Sequence, residues 1–142
     1  MRRFAAAAVL VAFGATVAFA GPIEDRQAIM KGVAAATKTA TGIAKGETPF
    51  DAAKAKEIAA VYENAAAKMP TLFPDDSKTG NDTTAAPKIW EDKAGFAAEF
   101  AKLGTDAKAL AATTDTASFA AAFKTLTGEC GTCHGTYRIK KG

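Results

Sequence analysis

Apolar residues recur at alternating steps of three and four positions along the second half of the chain. One series is Phe96, Phe100, Leu103, Ala107 and Leu110, and the other is Phe119, Phe123, Leu126, Cys130, Cys133 and Tyr137. A mean spacing of 3.5 residues predicts helices that cross at a shallow angle and bury one continuous seam. Both cysteines continue the seam of the last helix, and we therefore expect them to face the interior of the protein.

Helix-starting and helix-stopping residues divide the chain into four predicted helices, at about residues 23–44, 48–68, 92–113 and 116–138. Pro22 stands at the entry of the first, Thr48 and Asp51 have capping-box spacing at the start of the second, and Asp115 precedes the last. Residues 70–87 form a long polar loop. Four helices joined mostly by short loops predict an all-α protein, folded as an antiparallel four-helix bundle.

The first 20 residues have the three parts of a secretory signal peptide. Arg2 and Arg3 form a basic head, an uncharged apolar stretch follows, and Ala18-Phe19-Ala20 provides an A-x-A cleavage site. The apolar stretch is Ala-rich and at the short end for a membrane span, which argues against a permanent anchor. We expect cleavage after Ala20, export to the periplasm and one mature domain, residues 21–142, that does not span the membrane.

The charge of the chain argues against nucleic acid as a partner. The chain carries 18 Lys and Arg against 15 Asp and Glu, and loss of Arg2 and Arg3 reduces this small basic excess further. The remaining basic residues form no stripe apart from a short group at the tail, and nucleic-acid binding needs such a stripe.

All the cysteine and histidine of the chain lies within five residues near its end. Cys130, Cys133 and His134 are the only two cysteines and the only histidine, and they form the pattern C-x-x-C-H. Positions i, i+3 and i+4 share one face of a helix, so both thiols can reach the vinyl groups on one edge of a porphyrin. The pattern is the attachment signature of c-type haem, with His134 as the proximal axial ligand of the iron. We therefore predict one covalent haem c on the last helix.

Three other uses of these residues fit the sequence less well. A zinc site needs four ligands, and the fourth would have to be a carboxylate. A thioredoxin-like C-x-x-C belongs at a strand-to-helix turn, and no strand is predicted. A disulfide between Cys130 and Cys133 would close a very small loop and leave His134 without a role.

With a haem site on the last helix of a four-helix bundle, the chain resembles the class II c-type cytochromes, which include cytochrome c′ and low-spin relatives such as cytochrome c-556. The resemblance covers the mature chain and rests on DRQAIMKG near its start, PKIW before the third helix and CGTCHGTYR at its end. It implies a haem protein rather than an enzyme. Members are often dimers through their first two helices, so the resemblance also allows a homodimer. The loop at residues 74–87 varies in length in such proteins, and we expect it to say nothing about function.

The residue opposite His134 decides between two functions. Met30 and Met69 are the only methionines of the mature chain. From the residues alone, Met30 is first interpreted as a core residue, because Met fills gaps well, and Met69 is expected at one pole of the bundle. The resemblance implies that the residue four positions after Arg26, which is Met30, faces the open side of the haem. In the low-spin subgroup a Met there binds the iron, whereas cytochrome c′ has a non-ligating residue.

Three further residues take haem-related roles from the resemblance. Arg26 would bind a haem propionate through two hydrogen bonds, Arg138 would lie against the haem near His134, and Trp90 would pack near the haem edge unless it only fills the core. The prediction is a periplasmic, low-spin monohaem cytochrome with His134 and Met30 as axial ligands, which passes single electrons between redox partner proteins. The alternative is a cytochrome c′-like five-coordinate haem protein that binds nitric oxide or carbon monoxide.

Overall fold

The computed structural model describes residues 21–140, and the predicted signal peptide, residues 1–20, lies outside the described residues. The helices are α1 Pro22–Ala44, α2 Ala52–Lys68, α3 Lys88–Glu91, α4 Lys93–Ala111 and α5 Thr116–Tyr137. The four long helices lie within a few residues of their predicted bounds, and the one-turn α3 forms from the segment that leads into α4. None of the described helices is long and apolar enough to cross a membrane.

Side-chain caps explain where α2, α4 and α5 begin. The carboxylate of Asp51 accepts a hydrogen bond from the backbone N–H of Lys54, over 2.7 Å. The predicted capping box of Thr48 and Asp51 is therefore wrong: Asp51 is itself the cap, and α2 begins directly after it. Asp115 and Ser118 cap α5 reciprocally, which confirms Asp115 as the start of the last helix.

The long helices form a ring in chain order. Helix α2 packs against α4, α4 packs against α5, and α1 packs against both α2 and α5. Short connections at residues 45–51 and 112–115 require their flanking helices to run in opposite directions. The antiparallel four-helix bundle predicted from the sequence is confirmed.

The buried side chains form two clusters, one toward each end of the bundle. The first contains the largest fully buried side chains of the described chain: Ile43, Tyr62, Leu110, Phe119 and Leu126. The second consists of Ala65, Met69, Ile89, Phe96, Phe100 and Tyr137. Cys133 packs against the second cluster and is only half-buried, because this end of the bundle is hollow.

The connection between α2 and α3 folds back onto the bundle. It contains two single 3₁₀ turns, Met69–Thr71 and Asp75–Ser77, and then a bend at Gly80, Asn81 and Asp82, whose φ angles are 102°, 44° and 54°. Left-handed backbone at three consecutive residues reverses the chain sharply. The segment then forms an antiparallel bridge between Ala85 and Arg138, which joins it to the end of α5.

Candidate haem-binding site

A cavity of about 740 Å³ occupies the hollow end of the bundle. All four long helices, α3 and the loop that precedes α3 contribute to its lining. Its volume falls within the roughly 300–1,000 Å³ that is typical of cofactor sites. Most of the wall is apolar and is formed by Ile23, Val33, Ala34, Met69, Phe73, Ile89, Phe96, Phe100 and Leu103.

Cys130, Cys133 and His134 lie together on the wall that α5 contributes. Both cysteines are free thiols and half-buried. Burial raises the pKa of the Cys130 thiol, and burial together with the negative charge of Glu99 raises the pKa of Cys133 to about 11. Both groups are therefore protonated at neutral pH, as free thiols rather than thiolates.

The electrostatics around His134 favour its neutral form. Desolvation in the cavity wall and the positive charge of Arg138 both lower the pKa of the imidazole. Neutral imidazole is the form that binds a metal. Within residues 21–140, no group of three or more His, Cys, Asp or Glu side chains is arranged to hold a metal ion, so the zinc alternative gains no support.

Helix α1 contributes a polar and apolar stripe to the same cavity. Arg26, Met30, Val33 and Thr37 lie on the lining, at helical steps of four, three and four. Met30 is half-buried, whereas Met69, which also lines the cavity, is 5% exposed and belongs to the second cluster. Met69 was expected at one pole of the bundle, and it belongs to the cluster toward one end; both methionines reach the wall of the cavity.

Arg138 lies at the rim of the cavity, beside the end of α5. Its Nε–H donates to the hydroxyl oxygen of Thr84, over 3.4 Å, and the adjoining Ile139 N–H donates to the Thr84 carbonyl, over 2.8 Å. The expected place of Arg138 close to His134 agrees with its effect on the pKa of the imidazole.

Trp90 lies outside the lining of the cavity. Its ring meets that of Phe73 edge to face, with 5.9 Å between the ring centroids, and Phe73 lines the cavity. The indole N–H donates to the carbonyl of Phe73, over 3.0 Å. Trp90 thus supports the cavity wall from behind, rather than contributing its own surface to the site.

Two lining residues, Tyr62 and Thr37, were not predicted to belong to the site. Tyr62 is fully buried, and its hydroxyl lies 2.9 Å from that of Thr37. When Thr37 donates its single proton to the Val33 carbonyl, over 2.8 Å, Tyr62 is the donor between the two hydroxyls. Seven residues separate Thr37 from Met30, two helical turns, and this spacing could have placed both on one face.

The loop before α3 corrects another expectation. The sequence suggested that residues 74–87 say nothing about function, yet Thr83, Thr84 and Ala85 line the cavity together with the neighbouring Phe73. The low hydrophobicity of this loop concealed its position, because its inward contacts are largely hydrogen bonds. Buried polar contacts of this kind leave no periodic pattern in a sequence.

The chemistry of the lining fits a haem. An apolar space suits the porphyrin, two adjacent thiols and an imidazole share one wall, and Arg26, Lys31 and Arg138 offer positive charge for carboxylate groups. Arg26 is 5% exposed; burial lowers the pKa of its guanidinium, and the negative charge of Glu24 at the helix start acts in the opposite direction. Burying a cation is costly, so an anionic group in the cavity would stabilise it further.

Comparisons with known proteins agree with this site. The family model for cytochrome c′ matches residues 21–138. Cytochrome c-556 of Agrobacterium fabrum (strain C58) is 47% identical over 124 residues, which are 86% of this chain and 84% of that protein. Cytochrome c′ of Rhodopseudomonas palustris (strain CGA009) is 44% identical over 134 residues, covering 94% and 92% of the two chains.

Solved structures give the same result. The structure of cytochrome c′ from Rhodopseudomonas palustris superposes with a TM-score of 0.81 at 43% identity, and the match covers 87% of this chain and all of that one. The resemblance, the covalent haem c and the non-enzymatic class expected from the sequence are confirmed at the level of the family. With its family model matched from end to end of the bundle, the chain belongs to the cytochrome c′ family of monohaem electron carriers.

Proposed function

We propose that this protein is a low-spin, one-electron carrier in which His134 and Met30 are the two axial ligands of a single haem c. The observation that carries the proposal is the position of Met30, one helical turn after Arg26, on a cavity that also receives His134. A bound haem would supply the one-electron chemistry of its iron. The chain would supply two thiols for attachment, two ligands and an apolar enclosure.

The two ligands would favour a fast and simple transfer. A thioether is a soft ligand that favours the ferrous state and raises the reduction potential. Because each ligand comes from a packed helix, neither has to move far when the iron changes its oxidation state. The apolar wall would limit water around a bound haem, and ligation by both His134 and Met30 would leave no room for a substrate on the iron.

The alternative is a five-coordinate site open to nitric oxide or carbon monoxide. Relatives named cytochrome c-556 and cytochrome c′ have nearly equal identity to this chain, 47% and 44%, so similarity alone favours neither. The choice depends on what Met30 does, and we assign it to the iron because its side chain is partly accessible from the cavity.

We further propose export to the periplasm after cleavage of residues 1–20, and exchange of electrons with redox partner proteins there. The basic residues at the cavity rim, Lys31 and Arg138, provide a charged edge for such contacts. We retain a homodimer through α1 and α2 as part of the proposal, to be checked by sedimentation at micromolar concentration.

The test is the optical spectrum of the purified protein with two matched variants. Wild-type protein should be low-spin in both oxidation states, and it should bind carbon monoxide slowly, because a tethered thioether competes at high effective concentration. Met30→Leu, a near-isosteric change that costs less than about 1.5 kcal/mol of stability, should make the iron high-spin and open to carbon monoxide. It should also lower the reduction potential.

Met69→Leu is the control, because this methionine reaches the same cavity but is packed in the second cluster. We expect its spectrum to match that of the wild type. A high-spin wild type, or a Met30→Leu spectrum identical to it, would mean that Met30 only fills the core, and the gas-binding alternative would replace this proposal.

A further inference from the structure

Within residues 21–140, two polar or charged residues are buried, and they bind each other. Arg26 is 5% exposed and Ser77 is 3% exposed. The guanidinium donates from Nη1 to the Ser77 hydroxyl, over 3.1 Å, and from Nη2 to the Ser77 carbonyl, over 3.0 Å. It also donates to the carbonyl of Leu72 and to the hydroxyl of Thr83, over 3.1 and 3.4 Å. Arg26 therefore holds the loop at residues 72–83 at three points.

This arrangement gives Arg26 a second role beside the one that the resemblance implies. A guanidinium has five N–H groups, and four of them are used by the loop. A two-bond contact with a carboxylate would require at least one loop contact to break. The loop is therefore the principal partner of Arg26 in this structure, and an anion in the cavity would have to share the guanidinium with it.

Phe73 is the side chain that this loop places against the cavity. The Arg26 guanidinium lies 4.4 Å from the centre of the Phe73 ring, and the ring meets that of Phe96 at 4.7 Å. From the other side, the indole N–H of Trp90 binds the Phe73 carbonyl. Phe73 also lines a second, smaller pocket of about 220 Å³. It thus forms part of a shared wall between the haem-binding cavity and that pocket.

The first two turns of α1 hold the tip of the loop as well. Gln27 donates to the carbonyl of Asn81, over 2.8 Å, and the Asn81 amide donates to Glu24, over 2.5 Å. These contacts come from the two turns of α1 that precede Met30. The loop is therefore fixed to the same part of α1 that carries Met30, and both contribute to the lining of the cavity.

We propose that Ser77 is a positioning residue that acts through Arg26: it keeps Phe73 in place as the cavity wall beside Met30 and restricts the entry of small molecules into the cavity. The proposal rests on the proposed haem site but not on ligation by Met30. Removal of the Ser77 hydroxyl takes one acceptor from a buried cation, and hydrogen bonds to charged groups are among the stronger ones in proteins.

The experiment uses the haem-loaded Met30→Leu protein as the parent, so that dissociation of a thioether does not limit the rates. Ser77→Ala is compared with Thr79→Ala, an exposed threonine two residues further along the same loop. Two quantities are measured: carbon monoxide association with the ferrous protein, and hydrogen exchange at the amides of Leu72, Ser77 and Thr83, which are all bonded within the loop. We expect Ser77→Ala to raise the carbon monoxide association rate and the amide exchange rates about tenfold above those of the parent. Thr79→Ala should leave both kinds of rate within twofold of the parent.

The other outcomes overturn the proposal. Equal rates in Ser77→Ala and the parent would mean that the hydroxyl does not hold the wall, and equal increases in both variants would mean that the loop responds to any change. Thr83→Val provides a second test, because it removes another acceptor of Arg26 with little change in shape, and it should raise the same two kinds of rate. If Met30 is not a ligand, the unmutated protein already binds carbon monoxide, and the same Ser77 and Thr79 comparison can be made in it.

Discussion

The hydroxyl of Tyr137 donates a hydrogen bond to Oδ2 of Asp92, over 3.0 Å, and so joins the last residue of α5 to the cap of α4. The other carboxylate oxygen of Asp92 accepts from the backbone N–H of Gly95, over 3.0 Å. One side chain therefore starts α4 and anchors the end of α5, three residues beyond His134. The contact fixes the register between the two helices at the site.

Replacement of Tyr137 by Phe should lower the stability of the haem-loaded protein in a pH-dependent way. Hydrogen bonds from Gly95 and Tyr137 hold the pKa of Asp92 below its usual range. A lowered carboxyl pKa contributes stability above the unfolded pKa, about 3.9, and this stability is lost as the pH falls through the lowered value. The urea midpoints of wild type and variant should differ at pH 7 and converge at low pH. A difference that is the same at both pH values would contradict this role.

Gly95→Ala should destabilise the protein, although Ala is the better helix former by about 1 kcal/mol. A Cβ atom at this position would lie 2.6 Å from the Tyr137 hydroxyl and closer still to the Asp92 carboxylate, so the contact between them must open. Gly128→Ala is the control, because a Cβ there meets nothing within 4 Å, and it should stabilise the protein. Thermal unfolding of both variants decides; a higher midpoint for Gly95→Ala would show that the contact yields at no cost.

Removing the Tyr62 hydroxyl should cost less stability than removing the Thr37 hydroxyl to which it is bonded. Tyr62→Phe removes the donor, while Thr37 keeps its bond to Val33, so the loss should be about 0.5–1.5 kcal/mol. Thr37→Val removes the acceptor and leaves the proton of a fully buried hydroxyl without a partner, at a cost of about 1–3 kcal/mol. Urea unfolding of both variants measures the difference. If Tyr62→Phe proves the more damaging of the two, the assigned direction of the bond is wrong.

A chain with Cys130→Ala and Cys133→Ala should lose most of its cooperative unfolding transition. Without covalent haem, the apolar lining of the pocket of about 740 Å³ would stay open to water, and the stability gained by burying that surface would be lost. Domains are stable by only roughly 5–15 kcal/mol, so such a loss is enough to abolish a cooperative transition. Far-ultraviolet circular dichroism during heating provides the measurement. The matched double variant Thr132→Ala and Thr136→Ala changes exposed positions of the same helix and should melt like the wild type; a normal melting curve for the cysteine variant would refute this dependence.

The fold was largely predictable because its main determinant is periodic. The seams of α4 and α5 could be recognised from Phe96 to Leu110 and from Phe119 to Tyr137, and these residues pack as expected. The C-x-x-C-H pattern was as informative, because its chemistry depends on spacing within one helical turn. A local repeat of this kind determines both the helix and its buried face, so it can be recognised without knowing any distant contact.

The contacts between distant segments were not predictable. Arg26 and Ser77 are 51 positions apart, and Trp90 reaches the carbonyl of Phe73 rather than the cavity. Both depend on the path of an irregular loop, which follows from left-handed residues at Gly80 to Asp82 and from hydrogen bonds with no repeat. The sequence marked Arg26 and Trp90 as important but did not reveal these protein partners, because a resemblance transfers positions more safely than partners.

The choice of arginine at position 26 has a consequence for how the protein behaves in a changing environment. Burial lowers the pKa of Arg26, yet a guanidinium starts so far above neutrality that it stays charged wherever the bundle is folded. A lysine or histidine buried at the same point could release its proton when the site gained an electron or when the surroundings changed in acidity. The positive charge that Arg26 places beside the cavity therefore does not vary with pH. Its electrostatic contribution to the driving force for electron transfer is independent of pH as well.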